Sequence, residues 1–236
     1  RPYHCWKTNG HGEMDIFDAI KESCDVFFYE IAKKLGIDRI AEVANDFGLG
    51  NKFQISLKNQ KSGIIPTKKW KKSKIGESWY AGETLIAGIG QGFVLTNPLQ
   101  LAVMTSIIAA DGKTVKPTII KNMKISFPEN NKYLEEIKIV KKAMFQVVNE
   151  NKGTAYSSRL DDIKFSGKTG TSQVRRISIS ERESEDFRKK ELEWKKRDHA
   201  LFVGYSPVDD PKYSISVIIE HGGSGASTAA PIAKQI

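Results

Sequence analysis

The hydrophobic pattern of this chain changes once along its length, from helical spacing to strand-like alternation. The part from residue 13 to 155 is mainly of the helical type, with apolar residues recurring every three or four positions. The part from residue 161 to 222 instead contains short segments in which apolar and polar residues alternate. Helices first and antiparallel strands last predict an α+β fold in which helices pack against a small sheet.

Four segments carry the helical pattern. They are 15–35, which is one helix or two in line, 40–47, 98–110 and 137–148. Asn97-Pro98-Leu99-Gln100 has the cap, first-turn proline and returning glutamine of a helix start. The glycine-rich Gly88-Ile89-Gly90-Gln91-Gly92 predicts a tight turn, because it lacks the Gly-Lys-Ser/Thr ending of a phosphate loop.

Three strands are predicted, over 163–174, 200–205 and 213–219, with a tight connection at 206–211. The segment 175–198 interrupts them with nine basic and seven acidic residues. Such a charged insertion is expected to be exposed, and Phe187, Glu191 and Trp194 have the spacing of a charged helix.

The 236 residues contain no apolar run of the roughly 20 residues that a bilayer span needs. The sequence starts at Arg1, without an initiator methionine or a signal segment. We therefore expect an internal piece of a longer chain, with any export signal or anchor upstream.

The net charge of +9 is concentrated in one segment, 51–76, which has eight lysines and no acidic residue. Trp70, Trp79 and Tyr80 lie in or beside it, and basic residues interleaved with aromatic ones can bind single-stranded nucleic acid. No nucleic-acid-binding motif accompanies them. The prediction is a solvated basic loop and no nucleic-acid partner.

The most specific motif is Lys168-Thr169-Gly170-Thr171, on the first predicted strand. An ammonium and two hydroxyls can bind a substrate carboxylate, while Gly170 lets an extended substrate approach the strand edge. The motif gains weight from Ser23-Cys24-Asp25, far upstream in the first helical segment.

Together, these two motifs resemble the Lys-Thr-Gly and Ser-x-Asn elements of the penicillin-binding protein and serine β-lactamase superfamily. Further stretches are similar to the transpeptidase domain of class B penicillin-binding proteins, above all the elongation-specific members. They are His11-Gly12, Phe27-Phe28-Tyr29, Gly88-Ile89-Gly90-Gln91-Gly92, Asn97-Pro98-Leu99-Gln100, Gly153-Thr154-Ala155 and Phe202-Val203-Gly204-Tyr205-Ser206-Pro207. The resemblance implies the α+β penicillin-binding fold and a partial transpeptidase domain over residues 1–236.

In that family, a serine in a Ser-x-x-Lys motif is acylated by the D-alanyl-D-alanine end of a peptidoglycan stem peptide. The acyl group then passes to an amine of a neighbouring strand, and β-lactam antibiotics mimic the dipeptide. The resemblance also implies a periplasmic domain of a protein anchored in the inner membrane. Its implied partners are a polymerase and scaffold proteins of the elongation machinery.

The resemblance assigns a role to each matching residue. Ser23 would belong to a proton relay that Lys168 supports, and Lys168 would attract the substrate carboxylate together with Thr169 and Thr171. The backbone N–H of Thr171 would donate to the oxyanion. Asp25 stands where most of the superfamily has asparagine, so it can accept a hydrogen bond from a substrate amide but cannot donate one unless protonated.

The sequence departs from the family in one larger respect, because it contains no Ser-x-x-Lys. In the family, that motif lies several tens of residues before the Ser-x-Asn element. We expect the nucleophile to lie in a preceding segment and the chain by itself to be inactive. Two alternatives remain open: a β-lactamase, and a non-catalytic β-lactam-sensing or binding module of the same fold.

Cys5, His11 and Cys24 form a candidate zinc site, since two thiolates and an imidazole suit zinc. Some members of the family that the sequence resembles have a structural zinc near the same elements. His4 or an upstream residue would be the fourth ligand. A Cys5–Cys24 disulfide and two unrelated thiols are the alternatives.

Overall fold

The computed structural model describes residues 3–121, 132–175 and 192–236. Eight α-helices and three strands are described in these ranges. The helices are α1 (Ile16–Lys21), α2 (Asp25–Leu35), α3 (Ile37–Asp46), α4 (Lys68–Lys74), α5 (Ala81–Gly88), α6 (Pro98–Ala109), α7 (Leu134–Asn149) and α8 (Ala230–Gln235). The strands are β1 (Ser166–Ser172), β2 (His199–Ser206) and β3 (Tyr213–Ile219). The predicted α+β fold is confirmed, with seven of these helices before the strands.

The three strands form one antiparallel sheet in the order β1-β2-β3. Thr169 of β1 lies opposite Phe202 of β2, which lies opposite Val217 of β3. The outer edge of β1 has no strand partner among the described residues. This free edge carries the Lys168-Thr169-Gly170-Thr171 motif.

Two apolar cores hold the helices against the sheet. The larger one joins Val147 and Val148 of α7 to Phe202 of β2 and to Ala229 and Ala230 at the start of α8. The smaller one packs buried side chains of α6 and α7 around one tyrosine of β2; its members are Ile108, Ala109, Ile137, Met144 and Tyr205. Because α7 belongs to both cores and also packs on α1, it fixes the distance from the first helices to β1.

The first helical segment is two helices, not one. Ser23 lies between α1 and α2 with φ of +56°, in the left-handed region that costs a non-glycine residue energy. The Cys24 N–H donates to Ala19 O at 2.9 Å, and this bond closes the turn. Such outliers cluster at functional sites when the surrounding structure enforces them.

The prediction of a loop over 51–76 was wrong for α4. Thr67 caps this helix by accepting the N–H of Trp70 at 2.9 Å. Lys71 is buried beside Glu83 and has its ammonium 4.4 Å from the ring centre of Tyr80. Glu83 and Tyr80, which stabilise Lys71, follow segment 51–76 in the sequence. The apolar pattern of that segment alone therefore gave no sign of a helix.

The glycine-rich stretch begins at Gly88, the last residue of α5. The predicted tight turn follows, with Gly90 and Gly92 at φ of +75° and +73°. A Cβ at Gly88 would lie 2.4 Å from the Cβ of Ala32, so a glycine here lets α5 approach α2 closely.

No helix among the described residues has both the length and the apolar character needed to span a membrane. Of the charged insertion, 176–191 lie outside the described residues, and Phe187 and Glu191 are among them. Trp194–Lys196 form a short, exposed 3₁₀ helix.

Candidate active site

The two motifs singled out in the sequence meet in space. Lys168 Nζ donates to Ser23 Oγ at 2.9 Å, across a sequence separation of 145 residues. It also donates to the backbone oxygen of Thr169 at 3.0 Å. The Ser23 hydroxyl and the Lys168 amine therefore form a pair through which a proton can move.

Trp6 holds the strained turn at Ser23. Its indole N–H donates to Ser23 O at 2.9 Å and to Glu22 O at 3.2 Å, and its backbone N–H donates to Asp25 Oδ2 at 3.1 Å. Sequence reasoning missed this residue. An exposed tryptophan nineteen positions before Asp25 carries no motif that links it to the turn.

The hydroxyls of β1 are fixed by neighbouring segments. Thr169 Oγ1 is 2.8 Å from Thr154 Oγ1, and Thr171 Oγ1 accepts the backbone N–H of Gly225 at 3.4 Å. Gly225 begins a π-helical turn, Gly225–Ala229, that lies against the strands. A Cβ there would lie 2.3 Å from Gly170 O, so the close approach requires glycine.

Loss of hydration lowers the pKa of Lys168 to about 8, and the nearby Asp25 carboxylate opposes this shift. Burial raises the pKa of Asp25 above its ordinary value. The Trp6 N–H, the Cys5 thiol and Lys168 act in the opposite direction. Near neutral pH, Lys168 therefore holds its proton less firmly than an ordinary lysine.

These residues line one open cleft of about 1050 Å³. Its lining includes Ser23, Asp25, Gln91, Lys168, Thr169 and Thr171. The cleft has the size of a ligand site, and an amine, hydroxyls and the carboxylates of Asp25 and Asp198 line it. Such a set can bind an anionic substrate and transfer protons.

Gln91 is a second residue that sequence reasoning left without a role. Its side-chain amide bonds to the backbone of Thr171 and Gln173, at the end of β1. The glycine on each side of it in the sequence is the signal that pointed to this turn.

The candidate metal ligands also come together. One ligand atom from each of Cys5, His11 and Cys24 lies within 4.8 Å of the other two, and Cys5 Sγ is 3.5 Å from His11 Nδ1. Both cysteines are free thiols. Among the described residues, His4 is not part of this cluster.

The cluster fits a metal cation. His11 Nε2 is buried without a hydrogen-bond partner, and burial together with the adjacent Cys5 raises the pKa of the Cys24 thiol. A cation would satisfy these groups and favour the thiolates. The ligands adjoin the candidate active site, because Cys24 lies between Ser23 and Asp25, and Cys5 precedes Trp6.

Comparison with known proteins identifies relatives of the whole chain. The family model described as penicillin binding protein transpeptidase domain matches residues 1–236. Peptidoglycan D,D-transpeptidase MrdA of Haemophilus influenzae is 35% identical over 98% of this chain and 37% of its own length. The MrdA protein of Escherichia coli K12 is 30% identical over 94% of this chain and 36% of its own length.

Solved structures of penicillin-binding protein 2 also match this chain. The complex of penicillin-binding protein 2 and MreC from Helicobacter pylori matches with a TM-score of 0.87 and 32% identity, covering 99% of this chain and 41% of that one. Penicillin-binding protein 2 of Pseudomonas aeruginosa, in complex with WCK 5153, matches with a TM-score of 0.81 and 33% identity, covering 99% and 48%. The chain thus spans less than half the length of each of these relatives. Given the match along all of its residues, it belongs to the family of penicillin-binding protein transpeptidase domains.

Proposed function

We propose that the protein containing this chain is a serine-type peptidoglycan D,D-transpeptidase of cell elongation and cell shape. The contact of Lys168 with Ser23 carries the proposal, because it joins the family's two matching motifs in one cleft. The MrdA relatives, named peptidoglycan D,D-transpeptidases, support the same reaction.

In the proposed reaction, a serine from a preceding Ser-x-x-Lys segment gives its hydroxyl proton to the relay of Ser23 and Lys168 as its oxygen attacks the carbonyl carbon of the penultimate D-alanine. The C–N bond to the terminal D-alanine breaks, and that amine leaves with a proton delivered through Ser23 and Lys168. An acceptor amine then attacks the ester, loses a proton and releases the serine. The cross-link is formed without any net oxidation or reduction.

The remaining residues bind the donor peptide. Lys168 and the hydroxyls of Thr169 and Thr171 attract its terminal carboxylate, and Gly170 gives the substrate room beside the strand. The Thr171 N–H stabilises the oxyanion, a contact whose loss typically costs ~10²–10³ in rate. Asp25 accepts an amide N–H of the substrate.

The neighbouring structures support partners from the elongation machinery. One contains penicillin-binding protein 2 with MreC, and another, at 28% identity, is a peptidoglycan synthase complex of polymerization and crosslinking. We therefore propose a scaffold protein and a polymerase as partners, with β-lactams as inhibitors. In the complete protein, this domain would lie in the periplasm and the anchor in the inner membrane.

Acylation by a penicillin tests the proposed function. We expect one penicilloyl adduct in the intact mass of an extended protein, meaning this chain together with its upstream segment through the first Ser-x-x-Lys. No adduct is expected on the chain of residues 1–236 alone. An extended protein that stays unmodified at millimolar penicillin would overturn the proposal.

We further propose a structural zinc bound by Cys5, His11 and Cys24. The orphaned His11 Nε2 and the two free thiols support it. The ion would supply a fixed crosslink beside the Ser23 turn. Trp6 and Asp25, which flank two of the ligands, would then be held in register.

Metal analysis checks the zinc proposal. We expect about one zinc per extended protein, and a melting temperature that falls when a chelator is added. Cys24→Ser should remove the metal, whereas His4→Ala should retain it. Zinc-free protein whose cysteines become reactive only after reduction would favour the disulfide instead.

A further inference from the structure

The side chain of Gln91 bridges two backbone groups at the end of β1. Its amide N–H donates to Thr171 O at 2.8 Å, and its amide oxygen accepts the N–H of Gln173 at 3.2 Å. Gln91 lies 80 positions before Thr171 and 82 positions before Gln173 in the sequence. On the free edge of β1, the Gln91 side chain thus makes the kind of hydrogen bonds that the backbone of a neighbouring strand would make.

The backbone around Gln91 is fixed on α5. The Gln91 N–H donates to Ile86 O at 3.1 Å, and the Gly90 N–H donates to Ala87 O at 2.9 Å. Gly90 and Gly92 have left-handed φ values that favour glycine. The glycine-rich turn therefore presents the Gln91 side chain to β1 from a rigid helix end.

The direction of Thr171 follows from strand geometry. In an antiparallel strand, the N–H and C=O of one residue point to the same side. Because Thr171 C=O points away from β2 to meet Gln91, Thr171 N–H also points to the outer edge. This N–H is the group that the proposed function assigns to the oxyanion.

We propose that Gln91 is a positioning residue for the oxyanion donor: by clamping Thr171 C=O and Gln173 N–H, it sets the direction of Thr171 N–H. The inference rests on the proposed function. Edge strands without a partner expose unpaired backbone groups to water, and the last residues of β1 would otherwise be held from one side only. The clamp supplies the second side without covering Thr171 N–H.

The test separates binding of a penicillin from acylation. In the extended protein, Gln91→Ala is expected to lower the acylation rate constant by ~10–10²-fold, since a small misplacement of reacting groups costs this much. The dissociation constant of the complex before acylation should change by less than about threefold, because Lys168 and the threonine hydroxyls remain. Stopped-flow measurements with a chromogenic cephalosporin give both constants.

Gln91→Glu gives a readout that a purely structural role would not move. Its carboxylate still accepts the N–H of Gln173 but cannot donate to Thr171 C=O. A carboxyl near its ordinary pKa of about 4.3 regains a donor when protonated. We therefore expect the ratio of the variant's acylation rate constant to that of the unchanged protein to rise as the pH falls from 8 to about 5.

Gln60→Ala is the matched control. Gln60 makes the same two kinds of bond, from its amide N–H to Phe53 O at 2.9 Å and from Phe53 N–H to its amide oxygen at 3.1 Å. It does not belong to the cleft lining. Its removal should leave the acylation rate constant unchanged.

An unchanged acylation rate constant in folded Gln91→Ala would overturn the positioning role and leave the proposed function intact. An equal loss in Gln60→Ala would also overturn it, by making the effect one of general stability. If the unchanged extended protein is never acylated, the proposed function fails and this inference fails with it.

Discussion

Replacing Lys168 with methionine in the extended protein is expected to slow acylation by penicillin by ~10²–10⁴-fold, the usual contribution of a positioned proton-transfer group. Methionine keeps most of the length of the side chain but has no proton to give to Ser23 Oγ, which Lys168 Nζ contacts at 2.9 Å. It also removes the cation that, in the proposed function, attracts the carboxylate of the penicillin. Stopped-flow acylation measures the loss.

The pH dependence of stability should change in the same variant. The folded protein holds the pKa of Lys168 at about 8, below the ordinary 10.5. Between these values, the unfolded chain binds more protons than the folded one, so this group makes the fold more stable as the pH rises. In Lys168→Met, we expect the free energy of unfolding to rise less steeply with pH. At pH 7, the melting temperature of this variant should be no lower than that of the unchanged protein.

Lys164→Met is the control for both measurements. Lys164 lies just before β1 and donates to Leu160 O at 3.0 Å on an exposed part of the chain. Its replacement should leave acylation unaltered. Acylation of Lys168→Met at the rate of the unchanged protein would remove Lys168 from the mechanism.

Replacing Phe202 with alanine is expected to lower the free energy of unfolding by ~3–5 kcal/mol. Phe202 is 0% exposed, and its ring packs edge-to-face on Phe165 with centroids 6.2 Å apart. The ring also fills the space above Gly167, where a Cβ would lie 2.2 Å from Phe202 Cζ. Because Thr169 lies opposite Phe202, the cavity would also loosen β1.

Denaturant unfolding measures this effect, with Tyr213→Ala as its control. Tyr213 lies at the start of β3 and is 78% exposed, so its loss should change the free energy by no more than about 0.5 kcal/mol. Equal midpoints for Phe202→Ala and the unchanged protein would show that the core lies elsewhere.

The sequence was sufficient to predict those helices and strands whose pattern lies within the element itself. The alternation of apolar and polar residues predicted β3. The cap at Asn97 predicted the start of α6, and the Asn97 side chain accepts the N–H of Gln100 at 3.0 Å. The motif residues Ser23 and Lys168 could be paired because the resemblance supplied a partner that spacing alone does not reveal.

Other features depend on contacts between distant segments. The burial of Lys71 needs Glu83 and the ring of Tyr80, and the turn at Ser23 needs Trp6. Gln91 acts through backbone atoms of Thr171, which no side-chain pattern encodes. These long-range hydrogen bonds and ion pairs are the part of the fold and of the site that sequence reasoning missed.

The proposed function requires this chain to supply the carboxylate-binding and oxyanion-binding half of an acyl-transfer site. A crystal structure of the penicilloyl form of the extended protein tests it most directly. We expect the acyl carbonyl oxygen within about 3 Å of Thr171 N and the penicillin carboxylate at the hydroxyls of Thr169 and Thr171. A carbonyl oxygen turned away from β1, or a carboxylate bound outside this cleft, would contradict the account.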